Sequence, residues 1–174
     1  MTGVQTCALP ICVFARKGLD VGTEVLLDAV PRPPTTGNLL DLGCGTGAIA
    51  LALAAKSPHS RVFGIDVTPR AVELCALNAQ RNGFTNVHAC LDSAVPQDVT
   101  FDVLWSNPPI RIGKSELHQM LARWLTRLAP GATAWLVVNR NLGAETIIAV
   151  RIGPIDEAFF QSLYSVLARF SSGC

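Results

Sequence analysis

The chain has 174 residues, of which 49% are apolar and 16% are charged, and its formal net charge is +1 at pH 7. That length and apolar content suit a single domain with a sizeable core. The near-zero net charge neither indicates nor excludes nucleic acid, because a basic patch can lie on a neutral protein. No apolar run reaches the roughly 18 residues that a membrane helix needs.

The chain begins with "MTGVQTCALPIC", which has no basic segment and no continuous apolar core. It is therefore a poor signal peptide. It resembles translated sequencing-adapter sequence, and we interpret residues 1–12 as a non-native leader that takes no part in function.

Helix and strand patterns alternate after the leader. "GLDVGTEVLLDAV" has apolar residues at helical spacing, "NLLDLGCG" is a buried strand that ends in glycines, and "AIALALAAKS" is an alanine-rich helix. "RVFGIDV" predicts a second strand. "TPRAVELCALNAQRNG" predicts a helix with Thr68 as its N-cap, Pro69 in its first turn and Gly83 at its end.

The second half of the chain continues the alternation. "NVHACLD", "FDVLWSN" and "TAWLVVN" predict three more strands, "SELHQMLARWLTRL" predicts an amphipathic helix, and "APG" predicts a turn before the fifth strand. Strands that alternate with helices predict an α/β fold, a Rossmann-like doubly wound, mostly parallel sheet with helices on both faces. Ligands bind such sheets at the carboxyl ends of the strands.

The six cysteines form no C-x-x-C pair, and no histidine lies near them at metal-ligand spacing. The sequence therefore predicts free thiols, a reducing cytoplasmic location and no metal site.

A glycine-rich turn, "DLGCGTG", follows the first predicted strand. Glycines let the backbone approach a ligand closely, and the helix behind them offers free N–H groups. We predict that Gly43, Cys44, Gly45 and Gly47 bind a cofactor. The alternative is a turn that only permits tight packing, and the local match to the dinucleotide fingerprint G-x-G-x-x-A is weak by itself.

Carboxylates follow three of the predicted strands. Asp66, with Val67 beside it, can accept both hydroxyls of a ribose, or it can serve as a charge at the start of the next helix. Asp41 would repel a pyrophosphate but can pair, directly or through water, with an amino-acid ammonium. Asp92, followed by Ser93, is placed to accept from an adenine amino group. Together they favour a cationic adenosyl amino acid over a dinucleotide.

These motifs, in the order "LDLGCGTG", "GIDVTPRAVE", "LDS" and "NPP", resemble the class I methyltransferases that depend on S-adenosyl-L-methionine (SAM). The resemblance runs from about Leu39 to Val138 and implies the class I methyltransferase fold with SAM as cofactor. A nucleotide-dependent oxidoreductase on the same turn is an alternative, but it leaves "NPP" without a role.

The prolines of "WSNPPIRIGK" fix φ and cannot donate to a sheet, so they hold the loop after the fourth strand rigid. The side-chain oxygen of Asn107 and the carbonyl of Pro108 can then orient a planar amino group beside the cofactor. Catalysis would depend on positioning and electrostatics rather than on a strong base. The structural alternative is a bare turn.

"NPPIRIGK", with "FARKGLDVGTEVLL" upstream, resembles the small methyltransferase-domain family that includes the small-subunit ribosomal RNA guanine-N2 methyltransferases. The resemblance implies that Asn107, Pro108, Pro109 and Ile110 form the catalytic loop, and that Asn107 also contacts the cofactor. It also implies that residues 20–23, with Thr23, help to cover the cofactor.

Two positions depart from the family pattern, because Ile112 and Ala15 stand where a small residue and a serine are usual. Ile110 stands where adenine-N6 and protein-glutamine methyltransferases usually carry an aromatic residue. The resemblance therefore implies methylation of a guanine N2 amine in ribosomal RNA. An adenine-N6 or protein-glutamine methyltransferase and an inactive fragment are the alternatives.

Arg111 and Lys114 flank the "NPP" loop. They can hold RNA phosphates on either side of an extruded base, with ribosomal RNA or the small ribosomal subunit as partner. An ordinary solvated loop is the alternative.

The resemblance fades past "NRNLGA". We assign residues 13–144 to the methyltransferase domain and residues 145–174 to a divergent or aberrant end of the same domain. "ETIIAVRIGPIDEAFF" shows an apolar run, a Gly-Pro break and a helix-like stretch, not a clear pair of closing strands. The completeness of the C-terminal hairpin is therefore in question.

Overall fold

The computed structural model describes residues 19–108, 114–140 and 144–151, and single residues at 158, 159, 161, 162, 164 and 165. Its elements, in chain order, are α1 (Val21–Ala29), β1 (Thr36–Leu42), α2 (Ala48–Lys56), β2 (His59–Asp66), α3 (Pro69–Arg81), β3 (Val87–Leu91), β4 (Phe101–Ser106), α4 (Lys114–Leu125), β5 (Leu128–Arg140) and β6 (Ala144–Arg151). Residues Asp92–Ala94 form a 3₁₀ turn after β3.

The strands form one sheet in the order β3-β2-β1-β4-β5-β6. β1 lies at its centre and pairs in parallel with β2 on one side and β4 on the other. The chain runs outward from β1 to β3 and then returns to β4, so the connections after β1 and β4 diverge and leave a crevice between them. The predicted doubly wound α/β fold is confirmed.

Successive strand residues face opposite sides of the sheet, and each side has its own core. Leu39 and Trp105 pack with Leu26 of α1 and Leu53 of α2 on one side. Leu40 and Leu104 pack with Trp124 and Leu125 of α4 on the other side, together with Phe63. Trp105 and Trp124 are among the largest fully buried side chains of these two cores.

α2 is the most apolar helix, and residues 49–54 of it are all buried. An all-round apolar helix must be covered on every side, and α2 lies between the sheet, α1 and α3. It is only 9 residues long. Within the described ranges no helix combines the length and the apolar character needed to cross a membrane.

The start of β5 differs from the prediction. We expected a turn at "APG", but these residues lie inside β5 as an irregular stretch. The register against β4 shifts from Phe101 opposite Leu128 to Val103 opposite Thr133. Gly131 has a φ of 83° there, a conformation that glycine adopts at little cost and that lets the strand bulge and continue.

The apolar run after "NRNLGA" is one closing strand, and the second strand of the pair in question is not among the described residues. β6 pairs antiparallel with β5 from Arg140 opposite Ala144 to Thr133 opposite Arg151. Ile147 packs on one side of the sheet and Ile148 on the other, so the strand is apolar on both faces and lacks the alternation of a half-exposed strand.

The C-terminal residues that the structure describes also contact the core. Phe159 and Tyr164 pack against the α4 side of the sheet, and the ring of Tyr164 stacks on His118 of α4 at 4.2 Å. The proposed boundary at residue 144 coincides with the first residue of β6.

Candidate active site

A cavity of about 990 Å³ lies where the carboxyl ends of β1, β2 and β4 meet beside α4. Its size is at the upper end of the range for small-molecule sites. The described residues that line it are Asp20, Leu42, Gly43, Gly45, Ile65, Asp66, Val67, Asp92, Asn107, Pro108, Glu116, Gln119, Met120, Arg123 and Trp124.

The glycine turn forms the floor of the cavity next to β2. The backbone N–H groups of Gly43 and Cys44 donate to the carbonyl of Ile65 at 2.8 and 2.9 Å, which ties the turn to β2. Gly43 and Gly45 have φ values of 77° and 53°, and a Cβ at either would meet nothing within 4 Å. Their bare backbone therefore faces open space, as a surface for a closely bound ligand requires.

Gly47 and Cys44 also have packing roles, and their part in cofactor binding stays a prediction. A Cβ on Gly47 would lie 2.6 Å from the sulfur of Cys75, so tight packing alone already requires a glycine here. The Cys44 side chain is buried in the core beside α2. Its hydrogen bond with Cys75 and its burial raise the pKa of the Cys44 thiol, so the thiol stays neutral. Cys44, Cys75 and Cys90 are free thiols, and the other three cysteines lie outside the described residues.

Asp66 joins the glycine turn to the start of α3. Its Oδ2 accepts from the N–H of Gly45 at 3.1 Å, and its Oδ1 accepts from the N–H of Thr68 at 2.9 Å. Thr68 occupies the predicted N-cap position, but its own side chain makes no capping bond. Each carboxylate oxygen keeps a second lone pair for a ligand in the cavity. Val67 beside it is 76% exposed, an apolar surface that a bound ring can cover.

Asp41 is fully buried and does not line the cavity with the other described residues. Its Oδ2 accepts from the N–H of Ala50 at 2.8 Å and satisfies the first turn of α2, whose N-cap, Gly47, has no side chain to do so. Burial raises the pKa of the Asp41 carboxyl to about 8; the Ala50 hydrogen bond opposes the rise and the charge of Asp66 adds to it. Its Oδ1 has no partner among the described residues, so pairing with an ammonium stays a prediction.

Asp92 lines the cavity and is paired with a residue that sequence analysis missed. Arg123 of α4 donates to Asp92 Oδ2 at 2.7 Å. Ser93 lies exposed on the 3₁₀ turn and is not among the described lining residues. Glu116, Met120 and Arg123 share one face of α4, and their spacing of four and three residues was the signal that a helix borders the site.

Asn107 lies at the carboxyl end of β4 and is held from the N-terminal part of the chain. Its Nδ2 donates to Asp20 Oδ2 at 2.5 Å and to Thr23 Oγ1 at 3.1 Å. Thr23 is buried and does not itself line the cavity. The hydroxyl of Ser106 donates to the carbonyl of Leu42 at 2.6 Å, which joins the ends of β4 and β1. The cavity therefore brings Asn107 and Pro108 together with the predicted cofactor carboxylates Asp66 and Asp92.

Some predicted site residues lie outside the described part of the chain. Pro109, Ile110 and Arg111 fall there, as does the leader. Lys114 is the first residue of α4, but its side chain is also outside the described residues.

Comparison with known proteins places these motifs in a family. The family model of the methyltransferase small domain matches residues 5–168. Protein YbxB of Bacillus subtilis is 38% identical over 139 residues, which are 78% of this chain and 69% of that protein. Ribosomal RNA small subunit methyltransferase C of Shewanella amazonensis is 31% identical over 169 residues, which are 95% of this chain and 49% of that protein. The chain thus spans about half the length of that named methyltransferase.

Solved structures give the same result. The T. thermophilus 16S rRNA N2 G1207 methyltransferase, in complex with AdoMet and guanosine, is 25% identical with a TM-score of 0.60, and the match covers 72% of this chain and 36% of that one. A TehB-like SAM-dependent methyltransferase from Corynebacterium glutamicum matches with a TM-score of 0.56 over 88% of this chain and 76% of that one, at 21% identity, a likeness of fold.

Proposed function

Since this chain belongs to the methyltransferase small domain family, we propose that it methylates the exocyclic N2 amine of a guanine in ribosomal RNA. The domain is a SAM-dependent methyltransferase, so the cofactor is SAM and the acceptor is the point at issue. The oxidoreductase alternative, which predicted nicotinamide, is set aside by the family match.

The described lining residues suit this cofactor. Acidic side chains at Asp20, Asp66, Asp92 and Glu116 outnumber the single described cation, Arg123, so the cavity favours a positively charged ligand. When bound, SAM supplies a methyl group that its sulfonium has already activated. Asp66 would hold the ribose hydroxyls, Asp92 the adenine amino group, and the exposed Val67 the face of the adenine ring.

The observation that carries the acceptor assignment is that Asn107 shares one cavity with Asp66 and Asp92. A side-chain amide oxygen there can accept a hydrogen bond from an exocyclic amino group. The nitrogen of such a group is a poor nucleophile because its lone pair is delocalised into the ring. Acceptors at Asn107 and at the Pro108 carbonyl would orient the amino group and favour a pyramidal nitrogen, so the residues act by positioning and electrostatics.

Guanine in ribosomal RNA is supported by the relatives and by one residue of the loop. The named relatives are small-subunit ribosomal RNA methyltransferases, and the T. thermophilus structure holds guanosine. Ile110 lacks the aromatic ring that is usual in adenine-N6 and protein-glutamine enzymes. We assign Arg111 and Lys114 to the RNA backbone, where cations give affinity that falls with salt.

The test is transfer of labelled methyl from SAM to small ribosomal subunits and to their naked RNA, followed by digestion to nucleosides and mass spectrometry. The expected product is N2-methylguanosine. Accumulation of N6-methyladenosine would instead establish the adenine alternative, and label on protein would establish the glutamine alternative.

An Arg111→Ala/Lys114→Ala variant provides the matched control for RNA binding. It should raise KM for RNA and flatten the dependence of KM on salt, with SAM binding unchanged. A folded, SAM-binding wild-type chain that labels neither RNA nor protein would support the inactive-fragment alternative.

A further inference from the structure

The short segment Asp20–Thr23 contacts Asn107 through three residues. Asp20 Oδ2 and Thr23 Oγ1 both accept from Asn107 Nδ2, at 2.5 and 3.1 Å. Gly22 packs directly against the amide, and a Cβ on it would lie 2.9 Å from Nδ2 and 3.0 Å from Oδ1. The segment therefore encloses the amide group of Asn107 with two acceptors and a surface that only glycine can provide.

Asp20 is used here in a way that its position in the helix does not require. It occupies the N-cap of α1, where an aspartate normally accepts from the first-turn N–H groups of its own helix. Its side chain makes no such bond and reaches Asn107 instead. The helix gives up a local capping bond, so the contact with Asn107 is a role additional to helix formation.

The chemistry of the two acceptors fixes which end of the amide points where. A carboxylate has no hydrogen to donate, so the amide must turn its NH₂ group toward Asp20. The second amide hydrogen is taken by Thr23. Oδ1 of Asn107 has no hydrogen-bond partner among the described residues, and the residue lines the cavity.

An asparagine can rotate by 180° about its last bond, and the two orientations are opposite in function. With Oδ1 toward the cavity it accepts from an amino group, whereas with Nδ2 toward the cavity it opposes one donor with another. Donation to a carboxylate also polarises the amide and makes its oxygen a stronger acceptor.

We propose that Asp20, Gly22 and Thr23 are positioning residues that lock the Asn107 amide with its oxygen toward the acceptor amino group. This deepens the proposed function and depends on it only in the identity of that amino group. The roles differ from covering the cofactor, because the contacts are to the asparagine of the catalytic loop.

The first test separates orientation from cofactor binding. Asp20→Ala and Thr23→Val should each lower kcat about 10- to 100-fold, while the Kd for S-adenosylhomocysteine (SAH) changes less than about threefold. Thr23→Ser restores the hydroxyl and should recover most of the loss. Asp28→Asn, which removes an exposed carboxylate from the same helix, should leave kcat unchanged. Losses in SAH affinity that match the losses in kcat would overturn the proposal.

The decisive test exchanges the two partners. Asn107→Asp alone places two carboxylates in contact and should reduce kcat severely. Adding Asp20→Asn restores the hydrogen bond with its direction reversed, because the side chain at position 20 now donates and the one at position 107 accepts. The second carboxylate oxygen at position 107 remains free to accept from the amino group that is methylated. The double variant should exceed Asn107→Asp by about tenfold or more. Losses that simply add would contradict the lock, because a purely structural Asp20 has no reason to compensate.

A spectroscopic measurement makes the result independent of the acceptor. In ¹⁵N-labelled protein, the Asn107 side-chain NH₂ signals are assigned by their loss in Asn107→Ala. In the wild type, these signals should be shifted from the values of exposed asparagine side chains and should exchange slowly with solvent. In Asp20→Ala, their positions and exchange rates should be those of an exposed asparagine. If the amide is locked but the chain does not methylate guanine, the proposed acceptor is wrong and the role of Asp20 and Thr23 stands. A freely exchanging amide in the wild type would sink the lock.

Discussion

The two halves of the cavity are held together by different kinds of bond. On the cofactor side, backbone groups of Gly43 and Cys44 bond to the backbone of β2, and Asp66 bonds to two backbone N–H groups. On the acceptor side, Asn107 is held by the side chains of Asp20 and Thr23, which lie 87 and 84 residues away in the chain. The bonds of Gly43 and Cys44 to β2 depend little on residue type, whereas the bonds of Asp66, and those of Asp20 and Thr23 to Asn107, are lost with a single substitution. A substitution at or beside Asn107 should therefore lower kcat and leave cofactor binding nearly unchanged.

The largest expected effect tests that independence directly. Asn107→Ala should lower kcat on the order of 10²- to 10³-fold, because it removes the proposed hydrogen-bond acceptor for the reacting amine. Calorimetric titration should find the Kd for SAH within about threefold of the wild type. A large loss of SAH affinity would show that the two halves are not separable.

The next prediction concerns the buried acid of the cofactor side. Burial raises the pKa of Asp41 to about 8 from 3.8, so the folded chain holds a proton that the unfolded chain releases. The stability that this proton contributes is present below about pH 3.8 and is lost as pH rises through 8. The free energy of unfolding of Asp41→Asn, relative to that of the wild type, should therefore rise by about 3 kcal/mol from pH 5 to pH 8. Urea unfolding of both proteins at each pH measures this difference in unfolding free energy. A difference that does not change with pH would refute the prediction.

Asp66→Ala tests whether the acceptor side keeps its structure when the cofactor side is altered. It removes the expected ribose contact and the bonds to Gly45 and Thr68, so the Kd for SAH should rise about 10- to 100-fold. The Asn107 NH₂ signals should stay as in the wild type, because Asp66 does not contact that side chain. Signals that collapse together with cofactor binding would mean that the acceptor side depends on the turn.

The smallest effect is expected at Arg123. Its ion pair with Asp92 is half exposed, and such pairs contribute at most about 1 kcal/mol. Arg123→Gln should weaken SAH binding by about two- to fivefold at low salt, because Asp92 loses the group that orients it. At about 1 M salt the wild type and the variant should converge, since screening removes the same interaction. A loss that persists at high salt would indicate direct contact of Arg123 with the cofactor.

The cofactor side of the cavity could be predicted from sequence better than the acceptor side. The glycine turn, Asp66, Val67 and Asp92 were predictable because each follows a strand directly, and strand ends converge in a parallel sheet. The helices and strands followed from apolar periodicity, except where the sheet covers both faces of a strand, as in β6. The wall formed by α4 was not predicted, because the amphipathic pattern of this helix does not show which strand ends it borders.

The roles of Asp41 and Asp20 depended on contacts that no local pattern reveals. Asp41 looks like a ligand in the sequence, but its place in β1 directs it under the first turn of α2. Asp20 looks like a helix cap, but β4 brings Asn107 within reach of it. In both cases a short polar side chain had two possible partners, and tertiary packing selected the more distant one.

Asn107 lies 87 residues after Asp20 in the chain, and this separation has a consequence for how the protein is made. A nascent polypeptide emerges from its N-terminus, so β1, β2 and β3 are available before β4, which must then insert beside β1. Until β4 arrives, the carboxylate of Asp20 is free to cap α1 in the ordinary way. We expect that newly synthesised chains form the glycine-rich turn first, and that Asp20 is transferred from its own helix to Asn107 only after β4 has inserted.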